Sequence, residues 1–346
     1  MTFPKTLGYN ILMSLRASID IGSNTIRLLI GEAKNNRIID TYSDRRITRL
    51  GNGVGRTGLL QRDNMKASLA VLRKFASTIS DYSVKQVRAV ATSALREASN
   101  AAAFIQDIMD VTGIEVEVIS GEKEAELVLR GILFSLQDTD QKTYAISLPS
   151  PTDEPAGMFI LDMGGGSTEW ILYRKDLPVK TGSIPVGVIK LTQKFIQSDP
   201  VAENDMMALQ HEVELVVTEL AWHIPDIAGS NMRLIGTAGT FTTLASLDLG
   251  LDTYIKDKVH LHEISLGNLQ DMRRKLIRLP LEERKKMKGL EPERADLIIP
   301  GLQFTIKIME FFHFPVLTVN DYGLLEGAIL GIEEKDEKDI SKTDQP

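Results

Sequence analysis

Apolar and polar positions divide the chain into two stretches that carry the same order of elements. Runs over Leu15 to Ile21, Thr25 to Glu32 and Arg37 to Ile47 predict three successive strands, with a turn at Lys34-Asn35-Asn36. Met65, Leu69, Leu72, Phe75 and Ile79 then recur at helical spacing. A strand at Gln86 to Ala91, a helix at Ala101 to Val111 stopped by Gly113, a strand at Glu115 to Ile119 and a helix at Glu122 to Leu136 follow. In the second stretch, Met158 to Leu161, Glu169 to Tyr173 and Val179 to Ile184 predict three strands. Met206, Val213, Val217 and Leu220 mark a helix, and Arg233 to Ile235 is a strand running into a helix at Gly236-Thr237-Ala238-Gly239-Thr240. Helices at Leu266 to Leu279 and Glu293 to Phe312, a strand at Val316 to Val319 and a helix at Gly323 to Ile332 complete the pattern. Two βββαβ units in succession, with strand and helix alternating, predict an α/β chain whose sheets have parallel members covered by helices.

The turn between the first two strands is written the same way in both units: Asp20-Ile21-Gly22-Ser23-Asn24-Thr25 and, 142 residues later, Asp162-Met163-Gly164-Gly165-Gly166-Ser167-Thr168-Glu169. Glycine-rich turns expose backbone N–H groups that can cradle an oxyanion, and a neighbouring Asp can hold a hard cation through oxygen. A single copy is equally well a hairpin that only needs glycine; the duplication favours two similar halves facing one cleft. The third glycine-rich turn, Gly236 to Thr240, opens a helix whose N-terminus suits an anion.

At 346 residues, two domains are expected. No apolar run approaches the roughly 20 residues that span a bilayer, and the first ten residues hold one Lys and no apolar core of a secretory signal, so a cytoplasmic location is expected. The absence of Cys excludes disulfides, thiolate metal sites and a Cys nucleophile. A net charge of −7 argues against a nucleic-acid partner, although a few arginines and a cation can still make a cleft positive. The charged stretch from Glu333 to Pro346 and residues 1–13 are expected to be flexible ends, with Met13 an alternative start, and Asp138 to Gly157 reads as a linker or surface loop.

Asp20 and Asp162 end equivalent strands, and two facing carboxylates call for something positive between them, for which Mg²⁺ is the natural occupant. A hydrolase needs a base for its water. Among the carboxylates of Ser120-Gly121-Glu122-Lys123-Glu124-Ala125-Glu126, Glu124 pairs best with Glu169, though acidic helix starts also arise from the dipole alone. Arg27, Arg96 and Arg294 are candidates for phosphate contacts, and spacing favours none of them over a solvated role. The five histidines show no metal-ligand spacing; His260 and His262 alternate as on a strand.

With these stretches in hand, the chain resembles the exopolyphosphatase/guanosine pentaphosphate phosphohydrolase (Ppx/GppA) family of the actin-like ATPase superfold. The matching residues are Ile19 to Asn24, Ala91 to Ala98, Ile119 to Ala125, the 162–169 turn, Gly236 to Thr243, Glu293 to Asp296 and Pro300-Gly301. The resemblance implies two actin-like (ribonuclease H-like) domains around an interdomain cleft. The first spans 14–123 plus 320–332, because the last helix returns to it, and the second spans 124–319. It implies magnesium-dependent release of terminal phosphate from inorganic polyphosphate or guanosine pentaphosphate. The family's base falls on Glu124 and its metal-associated carboxylates on Asp162 and Glu169; Glu169 is also read as catalytic beside Glu124, and the facing carboxylates add Asp20 at the metal. Gly22, Ser23, Asn24, Arg27, Arg96, Gly164, Gly165, Gly166, Ser167, Thr168, Gly239, Thr240 and Arg294 would hold phosphate. Glu126 stands where the family often carries Arg, the 138–157 loop is longer than usual, and no C-terminal phosphohydrolase-like domain follows Ile332, as in the short two-domain form. The superfold often forms dimers, so a homodimer stays open. The alternatives are an ATP-dependent small-molecule kinase of the same superfold and a non-enzymatic nucleotide-responsive binding protein.

Overall fold

The computed structural model describes residues 15–34, 37–137, 157–227 and 232–332. The 1–13 and 333–346 ends and nearly all of the 138–157 loop lie outside them. In the first half, β1 (Arg16–Ile21), β2 (Thr25–Lys34) and β3 (Arg37–Ile47) form an antiparallel meander. β4 (Gln86–Ala91) and β5 (Val116–Val118) add in parallel on the other side of β1, giving the order β3-β2-β1-β4-β5. Helix α1 (Arg62–Asp81), the five-residue α2 (Ser93–Glu97) and α3 (Ala101–Thr112) connect them, and Gly113 ends α3 at positive φ. Leu72, Phe75, Phe104 and Ile108 from α1 and α3 are buried against Ile19, Ile21, Leu28 and Ala89 of the sheet.

The second half repeats this plan. β6 (Gly157–Met163), β7 (Thr168–Arg174) and β8 (Lys180–Ile184) form the meander, and β9 (Met232–Thr237) and β11 (Val316–Val319) run parallel to β6. The sheet order β10-β11-β9-β6-β7-β8 therefore matches the first sheet, with β10 (Glu263–Ser265) as an added edge. Helices α5 (Val188–Phe195), α6 (Glu203–His223), α7 (Ala238–Asp248), α8 (Leu266–Leu276) and α9 (Ile298–Phe312) enclose its core, in which Phe159, Phe241 and Phe304 are fully buried.

Three local readings change. α9 starts at Ile298, because Pro292–Arg294 forms one 3-10 turn of its own. His260 and His262 sit in a turn ahead of β10, at the left-handed Leu261. The eight-residue α5 has no expected counterpart: it follows Gly187 at its N-cap, whose Cα packs so closely on Gly165 that an added Cβ would lie 2.5 Å from the Gly165 carbonyl carbon.

Two helices join the halves. α4 (Gly121–Gln137) sends Ala125, Val128 and Ile132 into a core shared with Val90 of the first sheet and Ile160, Ile171 and Ile235 of the second. The last helix, α10 (324–332), lies on the first sheet: Leu325 and Ile329 pack on Leu29, and the Ser18 hydroxyl donates to the Leu325 carbonyl at 2.9 Å. Gly327 of α10 rests directly on the Leu127 carbonyl of α4, a contact closed to any larger residue. No helix among the described residues is long and apolar enough to cross a membrane.

Candidate active site

Equivalent strands ending at one level bring the two turns face to face. In each, a glycine N–H donates to the carbonyl three residues on, Gly22 to Thr25 at 3.1 Å and Gly164 to Ser167 at 3.0 Å. The loops touch: a Cβ on Gly165 would lie 3.2 Å from the Ser23 Cβ, and one on Gly166 would meet the hydroxyls of Ser23 and Ser93. The glycines of the second loop thus make room for the first loop's side chains. Between the halves lies a cleft of about 580 Å³, lined by both turns, Asp20, Arg27, Glu124, Asp162 and the start of α7 at Ala238 to Thr240.

Four carboxylates converge here, and all are nearly fully buried: Asp20, Asp162, Glu124 and Glu169. Arg27 Nε and Nη2 donate to Asp20 Oδ2 at 2.9 and 2.7 Å, while Asp20 Oδ1 is buried with no hydrogen-bond partner. Burial opposes the charge on Arg27, yet the pull of Asp20 outweighs it and raises its pKa. Asp162 has no such partner of its own: burial pushes it up to about 6, against the pull of Arg27 and with the repulsion of Asp20. Burial, then Asp162, pushes Glu169 up to about 7, although Ser183 donates to its Oε1 at 2.7 Å. Burial, then Glu169 and Asp162, holds Glu124 well above the usual carboxylate range. Arg96 is the clamp between them. Its Nη1 donates to Glu124 Oε2 at 3.3 Å and to the Ile119 carbonyl at 2.9 Å, and its Nη2 lies 3.8 Å from Glu169 Oε1.

Of the residues expected from sequence, the two turns, Arg27, Glu124, Gly239, Thr240 and Arg294 line the cleft. Arg96 and Glu169 stand one layer behind and touch it through Glu124 and Ser167. Thr168 is the exception. Strand alternation turns it away from Ser167, and its fully buried hydroxyl donates to the Val186 carbonyl at 2.6 Å, so its side chain is not available to phosphate. The Thr240 hydroxyl likewise donates to the Met163 carbonyl, tying α7 to the 164–166 turn.

Two cations of the cleft escape the sequence reading. Arg45 on β3 lies directly across from Arg27 in the antiparallel register, and Arg294 is packed against Gly239 on the opposite wall. Burial, then the other arginines, pushes both Arg45 and Arg294 down to about 10, and Glu291 bonds to both. Like charges set this close are stable when an anion sits among them. Lys256, also unforeseen, reaches the rim and pairs with Asp40 at 2.9 Å.

The donor set fits one hard cation. No group of three or more His, Cys, Asp or Glu suited to a metal occurs among the described residues, which argues against an all-protein cage. The partnerless Asp20 Oδ1 and the uncompensated Asp162 do match the one or two carboxylates that Mg²⁺ takes alongside phosphate.

Comparison with known proteins agrees with this arrangement. Residues 29–336 match the model of the Ppx/GppA phosphatase family. The chain is 32% identical to the bifunctional 3-dehydroquinate synthase/phosphatase of Fusobacterium nucleatum, over 93% of this chain and 47% of that protein, so it spans about half of that relative. It is 28% identical to exopolyphosphatase 2 of Mycobacterium tuberculosis, over 91% of this chain and 98% of the relative. Among solved structures, a family member from Aquifex aeolicus matches at 30% identity with a TM-score of 0.74, covering 94% of this chain and 98% of that one. An exopolyphosphatase from Cytophaga hutchinsonii matches at 27% with a TM-score of 0.80, covering 93% and 98%. A duplicated α/β fold, glycine turns facing across a carboxylate-lined cleft and a family match over most of the chain make this protein a member of the Ppx/GppA phosphatase family.

Proposed function

We propose that the chain is a cytoplasmic, magnesium-dependent phosphohydrolase that removes the terminal phosphate of inorganic polyphosphate or guanosine pentaphosphate. The observation that carries this reading is Glu124, a buried carboxylate facing Asp20 and Asp162 across the cleft, oriented by Arg96 and held by burial well above the usual carboxylate range. Phosphoryl transfer to water asks for positioning and charge neutralisation more than covalent chemistry. The two glycine turns and Arg27, Arg45 and Arg294 hold the phosphates. Glu124 takes the proton of a water whose oxygen attacks the terminal phosphorus, the anhydride P–O bond breaks, and the shortened chain leaves as the anion. Asp20 and Asp162 would hold Mg²⁺, which supplies the positive charge that the phosphates and the carboxylates both lack. Glu169, braced by Ser183, keeps Arg96 and hence Glu124 in place.

The test is phosphate release from polyphosphate, guanosine pentaphosphate and ATP with Mg²⁺, repeated after chelation. Release from one or both of the first two, lost on chelation, supports the reading. Release from neither sinks it, and phosphate transfer from ATP to a small molecule would favour a kinase.

A further inference from the structure

Helix α6 is apolar on two faces. Met206, Leu209, Val213, Val217 and Leu220 are buried in the core of the second half, as a surface helix requires. Met207, Leu215 and Trp222 stand on the opposite side, 52%, 54% and 82% exposed, and no other helix among the described residues presents three large exposed apolar side chains. The end of the helix is anchored by His223, whose ring stacks 6.4 Å from that of Trp170 on β7, while the Trp222 indole projects outward. The flanks of this ridge are closed: Glu212 pairs with Lys194 of α5 and Glu214 with Lys307 of α9, each at 2.8 Å. His211 and Glu219, both exposed on the ridge, take part in no ion pair among the described residues. Ala208, Leu215 and Trp222 recur every seven residues with His211 and Thr218 between them, the seam of a helix that packs lengthwise on another helix.

We propose that this ridge pairs antiparallel with the same ridge of a second copy of the chain, about a two-fold axis at Leu215. In such a contact, residues equally far from Leu215 on either side face each other, and every match is made twice. Trp222 then lies on the partner's Ala208, the largest side chain of the seam over the smallest. His211 lies against the partner's Glu219, so each imidazole N–H left without an ion partner meets a carboxylate in the same position. Parallel pairing would set Trp222 on the partner's Trp222 and Glu219 beside the partner's Glu219, losing both matches. The 21-residue helix gives a ridge about 30 Å long. Pairing it buries on the order of 1,000 Å² in total, the lower edge of specific interfaces, so the dimer forms and dissociates at micromolar concentrations.

Sedimentation velocity on the full chain, from about 1 to 200 µM, reads the association. The wild type shifts from monomer to dimer across that range. Trp222→Glu and Ala208→Trp each weaken association at least about tenfold, and so does Glu219→Lys, whose loss is recovered when His211→Glu is added to it. Because the chain has no Cys, single cysteines report the register. Under mild oxidation Leu215→Cys, on the axis, gives a disulfide-linked dimer. His211→Cys is displaced from its copy by about 12 Å along the helix and links only when mixed with Glu219→Cys. A chain that stays monomeric at the highest concentration, association unchanged by Trp222→Glu, no recovery in the charge-reversed double variant, or His211→Cys linking to itself as readily as Leu215→Cys overturns the inference.

Discussion

The hairpins β1–β2 and β6–β7 have the same tight turn and an aspartate at the same place, yet they differ in the residue across from that aspartate. Asp20 faces Arg27, and Asp162 faces Glu169. The first hairpin therefore neutralises one oxygen of its own carboxylate and presents a guanidinium to the cleft, while the second places two acids side by side and leaves them protonated toward neutral pH. A duplicated scaffold becomes a two-sided site through one charge exchange. On the proposed reading the first side contributes the guanidinium for anions, while the second, with Glu124 and Arg96, contributes the acids set around the water.

Copying the second hairpin's charge onto the first breaks this division most severely. Arg27→Glu adds a further carboxylate beside Asp20 and removes a proposed phosphate contact, and steady-state kinetics should show kcat/KM lower by about 10³-fold or more, mostly through KM. Glu169→Gln acts on the other side. It loosens Arg96 and Glu124, so kcat falls about 10²-fold while KM stays within a few-fold, the opposite split. An unchanged kcat would remove Glu169 from the positioning role.

The loops differ in tolerance as well. A Cβ on Gly166 collides with Ser23 and Ser93, whereas on Gly164 its nearest neighbour is the Ser167 carbonyl at 3.4 Å. Denaturant unfolding should show a loss of about 1–3 kcal/mol for Gly166→Ala and under about 1 kcal/mol for Gly164→Ala. The same comparison sets a pH dependence. Glu169 titrates near 7 in the folded chain against an ordinary 4.5, so between those values the native state binds the extra proton. The stability of the metal-free protein therefore falls as pH rises from about 5 to 7. Glu169→Gln, which cannot ionise, flattens that slope and gains about 1–2 kcal/mol at pH 8.

The halves and their turns were readable because strand alternation and glycine-rich turns are local signals, and the internal repeat doubles them. The arginine trio was only part readable. Asp44-Arg45-Arg46 looks like a solvated charged run, and only the register that sets Arg45 across from Arg27 turns it toward the cleft. Arg294 sits in a stretch with helical periodicity, but the 3-10 turn at Pro292–Arg294 is what carries it to Gly239. Glu124 is locally one more acidic residue at a helix start, paired with Glu169 by its place between the halves and strengthened by the family resemblance; its burial beside Asp20, Asp162 and Glu169 is a tertiary fact. Thr168 was misplaced for the plainest reason, the alternation of neighbouring side chains across a strand.

The central claim is that Glu124 serves the water rather than the phosphates, and its substitution by an isosteric amide tests that most directly. Binding of polyphosphate and guanosine pentaphosphate to Glu124→Gln with Mg²⁺ should match wild type within about threefold, while single-turnover phosphate release falls by about 10²–10⁴-fold. Release at the wild-type rate, or affinity lost in step with rate, would contradict the account.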